Sequence, residues 1–322
     1  MTETTSIALV IPVYNEAEGI ETLVQALLDF QAANPTIAIR PVFVDDHSSD
    51  ATHDLLNAAL PRFTGASYLR LSKRSGSHVA ILAGLAICEE QCAAFLSADL
   101  QDPPSLLPRM IDMMRQGNDV VWAVREGRDG QGLGEAMTST VFHFLMKKLS
   151  NVGDLPFQCS FALLSKRAYV NLVRNCESFP SLLVDIPRLG FSVGTVPFSK
   201  PPRHFGKSKW GLSRKLMLLF DSVINASYAP LRYMVYLGVL TAVAGLLYAA
   251  FLIIRALVYT SAAPPEGWTS LMVAVVFIGG LQMMMLGIIG EYLWRAKESS
   301  RRQALYIIED AAHSADPSKA DS

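Results

Sequence analysis

The chain contains no Cys-x-x-Cys pair and no Cys/His spacing of the zinc-binding type. Its four cysteines, Cys88, Cys92, Cys159 and Cys176, are too scattered for a disulfide framework. They read as reduced thiols of a cytoplasmic domain. Charge is also scarce: 18% of residues are charged against 51% hydrophobic, too apolar for an ordinary soluble protein, so part of the chain is expected in lipid. The net charge of −1 identifies no partner by itself, because the charge is segregated along the chain. No nucleic-acid partner is expected. Residues 1–6 are polar and lack a basic stretch, which predicts no signal peptide. There is no internal repeat, and the polar tail at 311–322 is expected to be disordered.

The first two-thirds of the chain alternates short aliphatic runs with helical periodicity. Residues 7–13 read as a buried strand, followed by a helix with apolar positions at Ile20, Leu23, Val24, Leu27 and Leu28. A second strand at 41–44 ends in Asp45-Asp46-His47-Ser48-Ser49-Asp50, where Ser49 or Asp50 caps the helix that follows. Further strands are expected at 68–71, 93–96 and 119–124, near 160–164 and last at 191–196. Helices are expected at 79–88, 106–114, 138–149 and 166–173. This β-α-β alternation predicts an α/β fold, a largely parallel sheet with helices on both faces.

The stretch 95–104, Phe-Leu-Ser-Ala-Asp-Leu-Gln-Asp-Pro-Pro, places carboxylates where a strand ends, and Pro103 and Pro104 close it. In an open α/β sheet the C-terminal edge of the strands is where ligands bind. Asp99, Gln101 and Asp102 offer hard oxygen donors suited to Mg2+ or Mn2+ shared with substrate phosphates. Taken alone, the same ten residues also read as an Asp-Pro turn.

From Lys200 the chain changes character. Lys200, Arg203, Lys207, Lys209, Arg214 and Lys215 form a basic cluster suited to an anionic membrane surface. Residues 233–254 carry no charge and, at about 1.5 Å per residue, span a ~30 Å hydrocarbon core. A second span is expected at 271–289, with Gly279, Gly280, Gly287 and Gly290 allowing close helix approach. The 260–267 connection lacks Lys and Arg, whereas Arg232 flanks one side and Arg295, Lys297, Arg301 and Arg302 the other. Both termini are therefore expected in the cytoplasm.

The motifs Ile11-Pro12-Val13-Tyr14-Asn15-Glu16, Val44-Asp45-Asp46, Asp99-Leu100-Gln101-Asp102-Pro103-Pro104, 203–210 (Arg-His-Phe-Gly-Lys-Ser-Lys-Trp) and 287–295 occur in this order. Together they make the chain resemble the glycosyltransferase family 2 enzymes of the dolichol-phosphate mannose synthase and bacterial polyprenyl-phosphate glycosyltransferase type. The resemblance implies a GT-A domain at 1–199, a basic juxtamembrane segment at 200–232, transmembrane helices at 233–259 and 268–294, and a cytoplasmic tail at 295–322. It implies an inverting, metal-dependent transfer of a sugar from a nucleotide-sugar donor to polyprenyl phosphate at the bacterial inner membrane, with Mg2+ or Mn2+ as cofactor. By the same resemblance Pro12, Tyr14, Glu16, Asp45, Asp46 and Ala98 bind the nucleotide, and Asp99 and Gln101 hold the metal. Arg203 and Lys209 close over the phosphates, and Arg125 and Ser139 meet the acceptor phosphate. Related enzymes form homo-oligomers.

The chain departs from the family at several positions. Ser97-Ala98-Asp99 stands where the family has Asp-Ala-Asp, and Ser160-Phe161-Ala162-Leu163 where it has Asp-Phe-Arg-Leu. Lys73-Arg74 replaces Arg-Asn, and Glu135 lies near the place of a basic residue that precedes the serine equivalent to Ser139. These changes point to an unusual sugar or acceptor, or to a lost activity. The alternatives are a different lipid-linked glycan acceptor and a decayed membrane scaffold.

Overall fold

The computed structural model describes residues 4–125, 159, 161–176, 180–198, 235–241, scattered positions from there to 254, 267–300 and 304–314. The expected helix at 138–149 and the basic cluster at 200–232 lie outside them. The elements are β1 (Thr5–Val13), α1 (Ile20–Ala33), β2 (Ile37–Asp45), α2 (Thr52–Ala59), β3 (Ser67–Leu71), α3 (Ser77–Ala86), β4 (Cys92–Phe95), α4 (Leu107–Arg115), β5 (Val120–Arg125), β6 (Ala162–Ser165), α5 (Lys166–Arg174), α6 (Leu182–Arg188), β7 (Val193–Phe198), α7 (Trp268–Ser300) and β8 (Ile308–His313). They form two compact units among the described residues. Residues 4–198 and 304–314 belong to one, 235–300 to the other.

The first unit is built on an eight-stranded sheet in the order β7-β5-β6-β4-β1-β2-β3-β8. β1 pairs in parallel with both β2 and β4, β2 with β3, and β5 with β7, whereas β6 and β8 run antiparallel to their neighbours. The sheet is thus mostly parallel, as the alternation of runs predicts. β1 carries an almost unbroken aliphatic run because both of its faces are covered. Ile7, Leu9 and Ile11 pack into the core with α1, α2 and α4, while Ala8 and Val10 face the opposite core with α3, α5 and α6. Gly84 lets α3 approach closely: a Cβ there would stand 2.4 Å from Val10 Cγ1 and 3.0 Å from Val44 Cγ2.

Cys88, Cys92, Cys159 and Cys176 are all free thiols. Burial pushes the first three up to about 12, so they remain protonated. At the sheet's N-terminal edge, the Asp119 carboxylate accepts hydrogen bonds from Arg167, Ser165 and Ser192.

The largest departure from expectation is at the C-terminus. β7 is not the last strand, and 311–313 are ordered in β8 rather than disordered. β8 is exposed along nearly its whole length, so it carries no hydrophobic alternation for the sequence to display. Backbone pairing selects it, from Ser67 opposite His313 to Leu71 opposite Ile308. Ser314 adds an anchor: its Oγ donates to Phe63 O at 2.7 Å and accepts from Ala66 N at 2.9 Å. Leu305 and Tyr306 pack against the core beside α3 and α5.

The second unit is organised differently. α7 is 33 residues long, about 50 Å at 1.5 Å per residue. Within it Phe277–Trp294 forms an 18-residue apolar stretch of mean hydropathy 1.3, none of it buried. Its large side chains point outward, Phe277 at 66% exposure and Met283 at 71%. Residues 235–241 are helical too, with Val235, Tyr236, Val239 and Leu240 exposed. A Cβ on Gly238 would lie 3.6 Å from Met285 Cε, so this stretch runs beside α7.

Gly84→Ala should destabilise the protein by about 1–3 kcal/mol, because the stiff Val10 side chain cannot yield, and a lower melting temperature is the readout. The hydrogen bonds from Arg167 above all, then those from Ser165 and Ser192, hold the Asp119 carboxyl down at about 2. A carboxyl whose pKa falls on folding stabilises the fold when ionised, so its contribution is complete above about pH 4 and is lost as the pH falls toward about 2. Asp119→Asn should therefore melt below the unmodified protein at neutral pH, with the gap closing toward about pH 2.

Candidate active site

Because β1 to β4 run the same way, the loops that follow them collect at one edge of the sheet. Val13 lies opposite Asp45 in the β1–β2 pairing, and Val10 opposite Phe95 in the β1–β4 pairing. The segments 14–17, 45–50 and 97–102 thus become neighbours although far apart in the chain. β5 ends at Arg125 on the same edge, level with Phe198 of β7.

The loop after β1 is fastened to the turn after β2. Asn15 adopts φ +52°, a conformation that asparagine tolerates better than most residues. Its N–H donates to Ser48 Oγ at 2.9 Å and its Oδ1 accepts from Ser49 N at 2.8 Å. Glu16 N donates to Thr52 Oγ1 at 3.0 Å, and Ala17 N to Asp50 Oδ2 at 3.3 Å. Asp50 Oδ1 also accepts from Thr52 N at 3.1 Å, but the N-cap of α2 is Ala51, just after the Ser49 or Asp50 cap expected from the sequence. The polar run after β2 is therefore a docking rail for the Tyr14–Ala17 loop. Tyr14 itself lies under a cation, with the Arg74 guanidinium 4.2 Å from the ring centroid.

Asp45 and Asp46 are both buried, at 0% and 4% exposure. Asp45 Oδ1 accepts from Ser48 N at 2.8 Å; its Oδ2 accepts from the Tyr68 hydroxyl at 3.0 Å and from Arg70 Nη1 at 3.3 Å. The His53 imidazole donates from Nδ1 to the Tyr68 oxygen at 2.8 Å. Burial, followed by the Asp45 charge, pushes the Tyr68 phenol far above its ordinary pKa. Asp46 turns the other way: Oδ1 accepts from Ser75 N at 2.6 Å and Oδ2 from Gly76 N at 2.8 Å. Burial raises its pKa against the opposing pull of those two N–H groups. Asp45 thus braces the floor of the edge, and Asp46 pins the 73–76 loop that carries Arg74. A ligand hydroxyl or base edge that reaches either carboxylate must share it with these protein donors.

At β4 the half-buried Ser97-Ala98-Asp99-Leu100-Gln101 segment turns sharply, with Leu100 at φ +55°. Ser97 Oγ donates to Asp99 Oδ1 at 2.7 Å, and Gln101 N donates to the same oxygen at 3.2 Å. The serine therefore orients the neighbouring carboxylate instead of adding a second charge. Ala98 packs against the core under the turn. Among the described residues no three His, Cys, Asp or Glu side chains gather as a closed metal site. One carboxylate, a hydroxyl and an amide oxygen form a hard donor set with few protein ligands, which fits Mg2+ or Mn2+ completed by phosphate oxygens.

Of the residues expected at the site, Pro12, Tyr14, Glu16, Asp45, Asp46, Ala98, Asp99 and Gln101 meet at this edge, and Arg125 ends β5 there. Ser139, Arg203 and Lys209 lie outside the described residues. Ser48, Thr52, Tyr68, Arg70 and Glu309 join the edge without a local sequence signal, because their partners come from distant segments brought close by strand pairing and loop docking.

Residues 8–172 match the family model Glycosyl transferase family 2, and residues 229–295 match the model described as GtrB C-terminal hairpin. The chain belongs to glycosyltransferase family 2. Similarity to relatives extends along nearly its entire length. An uncharacterized glycosyltransferase of Synechocystis sp. is 30% identical over 308 residues, covering 95% of this chain and 96% of that protein. The bactoprenol glucosyl transferase of Shigella phage SfV is 30% identical over 310 residues, covering 94% of this chain and 98% of that protein. Among solved structures, glucosyl-3-phosphoglycerate synthase from Mycobacterium tuberculosis in complex with Mn2+, UDP and glucosyl-3-phosphoglycerate superposes with a TM-score of 0.51. It shares 17% identity and covers 69% of this chain and 80% of its own. The first unit of this glycosyltransferase therefore has the GT-A-like architecture expected from its sequence, and the assembled edge is its candidate active site.

Removal of the phenol oxygen tests the bracing of Asp45. Tyr68→Phe should destabilise the glycosyltransferase by about 1.5–3 kcal/mol, the usual cost of losing a buried hydrogen bond to a charged group, read as a drop in melting temperature.

Proposed function

We propose that this glycosyltransferase moves a sugar from a nucleotide-sugar donor to a polyprenyl phosphate at the cytoplasmic face of the bacterial inner membrane, with inversion at the anomeric carbon. The observation that carries the reading is the similarity over 94% of the chain to bactoprenol glucosyl transferases, hairpin included. The path of the chain supports it. The first unit is left after Phe198 and re-entered at β8, and both points lie at the edge where the site assembles. A segment that joins two parts of one sheet must cross a membrane an even number of times. This agrees with two spans, at 233–259 and 268–294, and with both termini in the cytoplasm. The outward apolar side chains of α7 agree with a lipid surround.

In this reading Pro12, Tyr14 and Glu16 line the nucleotide, held by the rail after β2, while Asp45 and Asp46 shape the base and ribose end. Asp99 and Gln101 would hold Mg2+ or Mn2+, which when bound offsets the charge of the departing nucleoside diphosphate. The fold neighbour's Mn2+ and UDP complex supports both groups as ligands. One oxygen of the acceptor phosphate attacks the anomeric carbon as the bond to the diphosphate breaks. A phosphate oxygen is already anionic at neutral pH, so positioning contributes more than a general base. Arg125 and Ser139 are assigned to hold that phosphate. Arg203 and Lys209, on the basic segment that starts just beyond β7, are assigned to close over the diphosphate.

The test is transfer of label from a panel of nucleotide sugars into undecaprenyl phosphate by the purified protein in detergent. Label should enter the lipid only when Mg2+ or Mn2+ is present, and Asp99→Ala should abolish transfer. Transfer unchanged by chelation, or undiminished in Asp99→Ala, would rule out the metal role. If no donor is used, Ser97→Asp distinguishes a decayed site, which the substitution reactivates, from a different acceptor, which it leaves silent.

A further inference from the structure

The strand that follows the apolar hairpin enters the sheet with an irregularity at the active-site edge. Leu71 pairs with Ile308 and Arg70 with Asp310, so Glu309 is the extra residue of a β-bulge. Bulges re-aim side chains, and they occur preferentially at sheet edges and beside active sites. Here the bulge directs Glu309 onto two groups of the nucleotide end. Arg70 Nε donates to Glu309 Oε2 at 3.0 Å, and His47 Nδ1 lies 3.3 Å from the same oxygen. His47 stands at φ +61° immediately after Asp46, and its Nδ1–H also donates to Leu71 O at 3.1 Å.

Arg70 divides its donors among three acceptors in two segments. Besides Glu309 it reaches Asp45 Oδ2 at 3.3 Å and, through Nη2, Ser48 O at 3.1 Å. The side chain is 19% exposed and Glu309 is 48% exposed. The rail that fastens the Tyr14–Ala17 loop therefore leans on Arg70, and Arg70 leans on a residue from beyond the hairpin. β8 does not need Glu309 to stay in place. Ser72 N donates to Ile307 O at 2.9 Å, Ser314 N donates to Ala66 O at 2.9 Å, and the strands pair on both sides of the bulge.

We propose that Glu309 is a positioning residue of the donor site: through Arg70 and His47 it sets the 45–50 turn, so nucleotide affinity depends on the strand that follows the membrane hairpin. This inference rests on the transferase reading above, and the experiment separates the two. UDP, GDP, CDP, ADP and dTDP are titrated with Mg2+ into the full-length protein in detergent by calorimetry. For whichever nucleotide the unmodified protein binds, Glu309→Ala should raise the dissociation constant about threefold to fivefold, with the melting temperature unchanged within about 2 °C. The difference should shrink at about 0.5 M salt, where exposed ion pairs are screened. Glu309→Gln, which keeps an acceptor for Arg70, should recover part of the affinity, and Asp310→Ala should bind as the unmodified protein does. In an Arg70→Met background Glu309→Ala should keep only the smaller part of its effect, the part that passes through His47, whereas full additivity of the two substitutions would overturn the role of Arg70. Unchanged affinity in Glu309→Ala, or a loss that tracks a lower melting temperature, overturns the positioning role and leaves the transferase reading standing. An unmodified protein that binds none of the five overturns both.

Discussion

A carboxylate with no exposure to water governs the architecture of the active-site edge. Asp45 closes β2 inside the sheet, where an ionised group is costly unless donors surround it. The donors come from two places, the turn after β2 with the Ser48 amide and β3 with the Tyr68 hydroxyl and the Arg70 guanidinium. Each recruits a further partner, with Tyr68 drawing in His53 and Arg70 drawing in Ser48 O and Glu309. Satisfying one buried charge thus fixes the turn after β2, the end of β3 and the arrival of β8. The loop after β1 is then fastened to that turn through Asn15, Glu16 and Ala17.

The neighbouring Asp46 solves the same problem with backbone N–H groups from Ser75 and Gly76. The two acids adjacent in sequence therefore anchor two loops, the turn that holds the β1 loop and the 73–76 loop, which meet where Arg74 covers the Tyr14 ring. At β4 the substitution of Ser97 for an acid has a related effect. A hydroxyl that donates to Asp99 aims this carboxylate without placing a second negative charge beside it. The edge thus combines aimed carboxylates with a stacked Arg–Tyr pair at the strand ends.

The strand order also shows how the chain leaves the sheet for the apolar unit and comes back to it. β7 runs parallel to β5 and delivers the chain to the site edge, and β8 brings it back beside the end of β3. In the sheet, the strand that ends the first part of the unit and the strand that resumes it, β7 and β8, have their 198 and 308 ends at the same edge.

The mostly parallel sheet and the helices on both faces were legible in the sequence because β1, β4 and the second half of β2 are buried on both faces and therefore spell apolar runs, and the family was legible in the motifs that follow them. The acidic ends of β2 and β4 were legible for a similar reason, since polar residues directly after such runs fall at the strands' C-terminal edge. Asn15, Tyr68, Arg70 and Glu309 were not legible, because each acts on a residue distant in the chain and none belongs to a local pattern. β8 escaped notice altogether: an exposed strand has no periodicity, and only an unpaired edge on β3 gives those residues a reason to be extended. The sequence by itself thus determined which segments are strands, which are apolar enough for lipid and where acids cluster, since burial and local propensity act on neighbours. Tertiary structure alone decided which acids are braced, by what donors, and that the tail returns to the site, because those outcomes depend on pairing between strands that the linear order does not display.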